Sequence, residues 1–104
     1  MIPKLISDSD FQNEVIDATQ DVLVDFYADW CQPCKVVDKI LHDIGARVNG
    51  ALKIVKIDVM KSQNTASSYM ISSLPTVMMF KKGMAVDQKV GLRSRLEYEK
   101  MIES

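Results

Sequence analysis

Two cysteines are the residues of this chain best suited to chemistry, and only Gln32 and Pro33 separate Cys31 from Cys34. The sequence predicts a strand before the pair and a helix after it, which places Cys31 at a helix N-terminus. There, free N–H groups and the positive end of the helix dipole stabilise a thiolate, the attacking species in disulfide exchange. Pro33 suits the first helical turn because it has no N–H to leave unpaired. Cys34, one turn further in, can attack a mixed disulfide formed by Cys31.

Other uses of the cysteine pair fit this sequence less well. A structural zinc site usually needs four ligands, and the only histidine, His42, lies eight residues beyond Cys34, about 12 Å along a helix. A purely structural disulfide across so short a loop would stabilise the fold by about 2 kcal/mol, less than the ~3 kcal/mol of a loop of about 15 residues. An inert pair remains an alternative, although pairs of this spacing beside a strand–helix–strand pattern are more often redox active.

The elements that must position the cysteines follow from hydrophobic periodicity and turn residues. Strands are predicted over 4–6, 22–27, 52–59, 76–80 and 84–90, with a turn at 81–83 joining the last two. Helices are predicted from a cap at Ser7 to before Asp21, from Pro33 to about Val48, over 64–69, and from Ser94 onward. Ser94 and Glu97 form a capping box, and we expect Leu96 and Met101 of that last helix to face the core.

The order of these elements predicts the fold class. Strand, helix and strand in succession imply parallel pairing with a right-handed crossover, and the hairpin adds antiparallel strands. We therefore expect an α/β fold with a central mixed five-stranded sheet flanked by four helices. The length of 104 residues predicts one domain over 1–104.

Composition excludes several classes of partner. The formal net charge of −1 supplies no summed positive field for a phosphate backbone or an anionic lipid. No apolar run approaches the roughly 18 residues needed to cross a bilayer, and the start lacks the basic segment of a secretory signal. We expect no nucleic-acid or membrane partner, and a cytoplasmic location.

Four segments, in this order and spacing, resemble the thioredoxin family: 24–35, which contains both cysteines, 55–58 (Val-Lys-Ile-Asp), 74–76 (Leu-Pro-Thr) and 90–91 (Val-Gly). The resemblance covers essentially the whole chain. It implies a disulfide reductase that acts on disulfide-containing client proteins, with Cys31 as nucleophile and Cys34 as resolving thiol. It also implies re-reduction by a thioredoxin reductase that draws on NADPH, with no cofactor bound to this chain, which we expect to be a monomer.

Asp25 interrupts an otherwise apolar strand, and burial of an unpaired carboxylate should raise its pKa. The resemblance implies that Asp25 lies behind Cys34 and serves as general base and acid, directly or through a water. It also matches Lys56 to a lysine whose amine approaches this carboxylate. The alternatives are an edge or paired structural carboxylate for Asp25, and for Lys56 a surface lysine with a buried stem.

Pro75 on sequence statistics alone has a trans peptide bond, because only about 5–6% of X–Pro bonds in folded proteins are cis. The resemblance implies the opposite: a cis proline beside the active disulfide, with the backbone of Leu74 pairing with an extended client segment. Around Cys31 it implies an apolar platform made of Trp30, Val59, Leu74, Pro75, Val90, Gly91 and Leu92. The alternative for Trp30 is a core aromatic residue.

Five positions depart from the usual thioredoxin pattern. Gln32 replaces a common glycine, Tyr27 a tryptophan and Lys39 a helix-kinking proline, while Met70 and Ser73 stand where glycines are frequent. None of these changes removes a catalytic group, although Gln32 bears on the redox potential and Ser73 on partner choice. Two competing functions remain: an oxidase or isomerase, and a binding module in which the thiols are incidental.

Overall fold

The structure is a computed structural model that describes residues 2–48 and 50–103. Its five strands are β1 (Lys4–Ile6), β2 (Asp21–Tyr27), β3 (Leu52–Asp58), β4 (Thr76–Lys81) and β5 (Met84–Val90). Its α-helices are α1 (Gln32–Gly45), α2 (Gln63–Ser68) and α3 (Arg95–Glu103). A first helical segment, made of a 3₁₀ turn (Asp8–Asp10) and a π-helical turn (Gln12–Ile16), precedes β2. The predicted order of elements is therefore confirmed, with most boundaries shifted by one to three residues.

The sheet has the order β1-β3-β2-β4-β5. β3 pairs in parallel with β1 and β2, whereas β4 pairs antiparallel with β2 and β5. The predicted mixed sheet is thus confirmed, and β2 lies at its centre. Because side chains alternate along a strand, β2 supplies both faces of the core.

Two core clusters cover the two faces of the sheet. Val22, Val24 and Phe26 of β2 belong to the cluster under the first helical segment. Leu23 belongs to the other cluster, which contains the buried side of α1 and α3. Asp25 is two residues after Leu23, so its side chain points to the same face of the sheet, toward α1.

The two ends of the chain differ from the sequence prediction in detail. The first segment is not one α-helix but a 3₁₀ turn followed by a π-helical turn. Its Asp8 carboxylate is tied to α2, because it accepts hydrogen bonds from the N–H groups of Asn64 (3.2 Å) and Thr65 (2.9 Å). In α3 the capping box is confirmed, but the expectation that Leu96 faces the core is wrong: it is 58% exposed. Tyr98 is buried instead, and at about 100° per residue Leu96 lies on the opposite face.

The hairpin turn between β4 and β5 is confirmed. Lys82 (φ 52°) and Gly83 (φ 78°) both have left-handed backbone conformations between the paired residues Lys81 and Met84. This is the two-residue turn whose twist matches that of the flanking strands. A side chain at position 83 would bring its Cβ within 2.6 Å of the Ile16 carbonyl oxygen, so glycine is required there.

Candidate active site

The two cysteines form a disulfide at the junction between β2 and α1. Cys31 caps the N-terminus of α1 with an extended backbone (φ −90°, ψ 108°), and its Cα lies 5.3 Å from that of Cys34. The backbone N–H of Cys34 donates a hydrogen bond to the Cys31 sulfur at 3.3 Å. The helix therefore presents a donor to the sulfur that sequence reasoning assigned as the nucleophile.

Both sulfurs are shielded in the disulfide form. Cys31 is 5% exposed and Cys34 is 2% exposed, whereas Gln32 and Pro33 between them are exposed. In this redox state, therefore, the two sulfurs do not differ in their access to solvent. The cysteines are held by a well-packed helix, in which Val37, Leu41 and Ile44 are buried on the sheet.

Asp25 lies in the middle of β2 and is 0% exposed. Neither carboxyl oxygen has a hydrogen-bond partner among the described atoms of residues 2–48 and 50–103. Burial, the largest cause, and the nearby charge of Asp38 raise the pKa of Asp25 to about 8, while Lys56 acts in the opposite direction. The predicted rise in pKa is confirmed, and the alternative of an edge or paired structural carboxylate is wrong.

Lys56 lies directly across from Asp25 in the register of β2 and β3. Its ammonium does not pair with that carboxylate, however, but with Asp38 Oδ1 of α1 at 3.2 Å. The same ammonium lies 5.3 Å from the centre of the Tyr27 ring, a cation–π distance. Lys56 still lies close enough to lower the pKa of Asp25, and its ion pair with Asp38 is a contact that the sequence did not predict.

Sequence reasoning missed Asp38. It follows Cys34 by four residues and so lies on the same helix face one turn away, a spacing that is visible in the sequence. A cleft of about 260 Å³ opens at this point, and its lining includes Cys34, Asp38 and Lys56. This volume accommodates several water molecules.

Pro75 ends the loop before β4, and the Leu74–Pro75 peptide bond is cis. The trans bond expected from sequence statistics is therefore wrong, since those statistics contain nothing about how this loop packs. The Pro75 carbonyl accepts a hydrogen bond from the Gly91 N–H at 2.8 Å, and the Thr76 hydroxyl donates to the Ser73 carbonyl at 2.6 Å. The proline loop is thereby fixed beside the end of β5.

The residues expected to form an apolar platform differ in exposure. Trp30 is 69% exposed, so the alternative of a core aromatic residue is wrong. Val90 and Leu92 are also exposed, whereas Pro75 is buried. Val59 is partly buried and packs against the core cluster under the first helical segment. The remaining members, Leu74 and Gly91, are partly buried, and Ser73 beside them is exposed.

Metal-ligand clusters and membrane-spanning helices are absent from the described part of the chain. Across residues 2–48 and 50–103, no three histidine, cysteine or acidic side chains come together as potential metal ligands. None of the helices in this part of the chain is both long enough and apolar enough to span a bilayer. His42 lies on the exposed side of α1, with Nδ1 2.7 Å from the Ile2 carbonyl oxygen.

Comparison with known proteins decides the family. The family model described as thioredoxin matches residues 3–104. The chain belongs to the thioredoxin family. It is 41% identical over 90 residues to a thioredoxin of Rickettsia conorii, covering 86% of each chain. It is also 41% identical over 97 residues to thioredoxin C-2 of Corynebacterium nephridii, covering 93% of this chain and 90% of the relative.

A solved thioredoxin confirms the fold. The structure of a mutant thioredoxin from Halobacterium salinarum NRC-1 superposes with a TM-score of 0.88 at 31% sequence identity, covering 97% of this chain and 88% of the other. The mixed five-stranded sheet with its four helical segments is therefore a thioredoxin fold. Thioredoxins are thiol–disulfide oxidoreductases that use a reversible disulfide and need no prosthetic group, so this chain is such an oxidoreductase with Cys31–Cys34 as its redox-active pair.

The disulfide forms despite the departures from the thioredoxin pattern. Tyr27 lies beneath the Lys56 ammonium, and Lys39 lines the cleft beside Cys34. Gln32 is exposed in the first turn of α1. Met70 stands where glycines are frequent in thioredoxins, and its φ of 54° is in the left-handed region that favours glycine. Its side chain is 86% exposed.

Proposed function

We propose that this chain is a protein-disulfide reductase in which Cys31 is the nucleophile and Cys34 the resolving thiol. The observation that carries the proposal is the hydrogen bond from the Cys34 N–H to the Cys31 sulfur at the N-terminus of α1. After reduction, the same donor and the positive end of the helix dipole stabilise a thiolate on Cys31. Gln32 and Pro33 support the site by forming the turn that holds the two thiols together.

The proposed reaction exchanges one disulfide for another. The Cys31 thiolate attacks one sulfur of a client disulfide, a mixed disulfide forms, and the other client sulfur leaves as a thiolate. Cys34 then loses its proton and attacks the Cys31 sulfur, which releases the second client thiolate. The client gains two electrons, and the chain is left with the Cys31–Cys34 disulfide.

Asp25 is proposed to exchange the proton of Cys34, directly or through a water. Its position on the α1 side of β2, its lack of a hydrogen-bond partner among the described atoms, and its pKa of about 8 support this role. A general base works best when its pKa lies near the working pH. Lys56, paired with Asp25 in the strand register, is proposed to tune that carboxyl rather than to touch the client.

Client recognition is proposed to use the backbone of Leu74 beside the cis Pro75. An extended client segment would pair with this main chain, which tolerates many side chains. Trp30, Val59, Ser73, Leu74, Pro75, Val90, Gly91 and Leu92 form the proposed binding surface. The exposed indole of Trp30 and the exposed side chains of Val90 and Leu92 support this assignment because they offer apolar contacts.

Electrons are proposed to come from NADPH through a thioredoxin reductase. The chain is further proposed to act in the cytoplasm as a monomer, with residues 1–104 as one thioredoxin domain. The test is NADPH oxidation in a mixture of this chain, a thioredoxin reductase and a disulfide-bonded protein. We expect NADPH consumption that requires all three proteins and that glutathione with glutathione reductase does not replace. If glutathione with its reductase supports equal turnover, the proposed electron source is wrong.

A further inference from the structure

The Lys56 ammonium has two carboxylates to choose between, and it pairs with one of them. Asp38 Oδ1 lies 3.2 Å from Lys56 Nζ. Asp25 is the cross-strand neighbour of Lys56, yet both of its carboxyl oxygens lack a hydrogen-bond partner among the described atoms. The amine that could neutralise the buried carboxyl is therefore engaged by a residue of α1.

The geometry around the ion pair holds the amine in place. The Lys56 side chain is 24% exposed and that of Asp38 is 41% exposed, so the pair closes part of the cleft beside Cys34. The Tyr27 ring, whose centre lies 5.3 Å from the ammonium, adds a second favourable contact. Both contacts would have to weaken before Lys56 could turn toward Asp25.

We propose that Asp38 is a positioning residue: by binding Lys56 it keeps the ammonium from Asp25, and so favours the protonated form of that carboxyl. This inference rests on the proposed function of Asp25 as the group that exchanges a proton with Cys34. The protonated acid can give its proton to the Cys34 sulfur when the Cys31–Cys34 disulfide is reduced. Asp38 thus sets the pH range over which Asp25 can supply a proton to Cys34.

Other ionisable groups face the same region and must be considered. Tyr27 ends β2, Asp29 follows that strand, Lys35 and Lys39 lie on α1, and Tyr98 lies on α3. The charges that shift the pKa of Asp25 are not those of these groups but those of Asp38, which raises it, and Lys56, which lowers it. Loss of the Asp38 charge should therefore lower the pKa of Asp25 in two ways. It removes the repulsion between the two carboxylates, and it releases Lys56 to approach Asp25.

The test is a pH titration of the Asp25 carboxyl carbon by NMR in the oxidised, ¹³C-labelled protein and its Asp38→Asn variant. We expect the pKa of Asp25 to fall by about one pH unit or more in the variant, as for a carboxyl that gains a cationic neighbour. Asp43→Asn is the matched control, since it removes the same charge from an exposed position of the same helix. An unchanged or higher pKa in Asp38→Asn, or an equal fall in Asp43→Asn, would overturn the proposal.

A double-mutant cycle separates positioning from simple repulsion. In a Lys56→Gln background, Asp38→Asn should lower the pKa of Asp25 by no more than about half as much, because no amine remains to be released. A fall of the same size in both backgrounds would show that Asp38 acts by its own charge and would refute the positioning role.

The rate of disulfide reduction tests the proposed function of Asp25 independently of this titration. If Asp25→Asn reduces a protein disulfide at the wild-type rate, Asp25 is not the proton-exchanging group. The titration of Asp25 in Asp38→Asn would still decide whether Asp38 controls this carboxyl.

Discussion

Asp25 and Lys56 are neighbours across the parallel strands β2 and β3, yet the Lys56 ammonium forms its ion pair outside the sheet, with α1. The buried carboxyl is left without a hydrogen bond among the described atoms. A buried, unpartnered polar group costs stability, and such costs are tolerated mainly where the group has chemistry to do. Stability and activity should therefore respond in opposite ways to the loss of this carboxyl.

The first prediction concerns Asp25→Asn. The pKa of Asp25 is about 8 in the folded chain and about 3.8 when unfolded, so folding binds a proton between these values. Wild-type stability should fall by about 1.4 kcal/mol per pH unit from pH 4 toward pH 8 and then level off, and Asp25→Asn should lack this slope. Denaturant unfolding at several pH values measures it, and the variant should gain over wild type as pH rises.

The same variant should be slow in catalysis. Loss of a positioned acid or base should decrease the rate of disulfide reduction at least about tenfold. Asp43→Asn, which leaves the site intact, should react at the wild-type rate. A variant of Asp25 that is less stable than wild type but fully active would contradict both parts of the prediction.

The second prediction concerns the asymmetry of the two thiols after reduction. Cys31 caps α1 and accepts the Cys34 N–H, so it should be alkylated first, and Cys34→Ser should trap clients in a mixed disulfide on Cys31. Limited alkylation followed by peptide mass spectrometry identifies the modified thiol. Modification of Cys34 before Cys31 would reverse the assignment of nucleophile and resolving thiol.

Local patterns predicted most of the fold. The apolar runs of β2, β3 and β4 and the capping box at Ser94 depend on neighbouring residues, and these are the features that sequence reasoning located correctly. Leu96 was assigned to the wrong face because its helix has few apolar positions, and burial of Tyr98 determines its orientation. The contact of the first helical segment with α2 through Asp8 joins residues 57 positions apart, which local patterns do not predict.

The features of the site that depend on one strand or one helix could be predicted from the sequence. The position of Cys31 at a helix N-terminus and the burial of Asp25 both follow from one strand and one helix. Which carboxylate pairs with Lys56 depends on how β2, β3 and α1 pack together, and the hydrophobic periodicity of the sequence does not predict it.

The third prediction concerns Gln32, the departure nearest to the disulfide. Its exposed, uncharged side chain offers no fixed charge to stabilise one redox state. We expect a potential near the −270 mV that is typical of thioredoxins, and a shift of less than about 30 mV in Gln32→Gly. Equilibration with a dithiothreitol or glutathione buffer measures both values, with Gln32→Ala as a control for helix propensity. A wild-type potential above about −200 mV would favour the oxidase or isomerase function.

The fourth prediction concerns Met70, which has a left-handed backbone (φ 54°) and an 86% exposed side chain. Met70→Gly should raise the free energy of unfolding by about 1 kcal/mol, because relief of backbone strain exceeds the entropic cost of glycine. Met60 is also exposed but lies outside the left-handed region, so Met60→Gly should destabilise the chain. Destabilisation of both variants in denaturant unfolding would show that the strain at Met70 is negligible.

Thiol counting in a single turnover tests the central claim most directly. The reduced chain is mixed with one equivalent of a disulfide-bonded protein without any reductase, and the thiols of both proteins are counted by mass spectrometry after acid quenching. We predict that each client disulfide becomes two thiols while the chain acquires its Cys31–Cys34 disulfide, and that a double variant, Cys31→Ser with Cys34→Ser, transfers nothing. If wild type releases no client thiols, or if the double variant releases as many, the chain is a binding module and its cysteines are incidental.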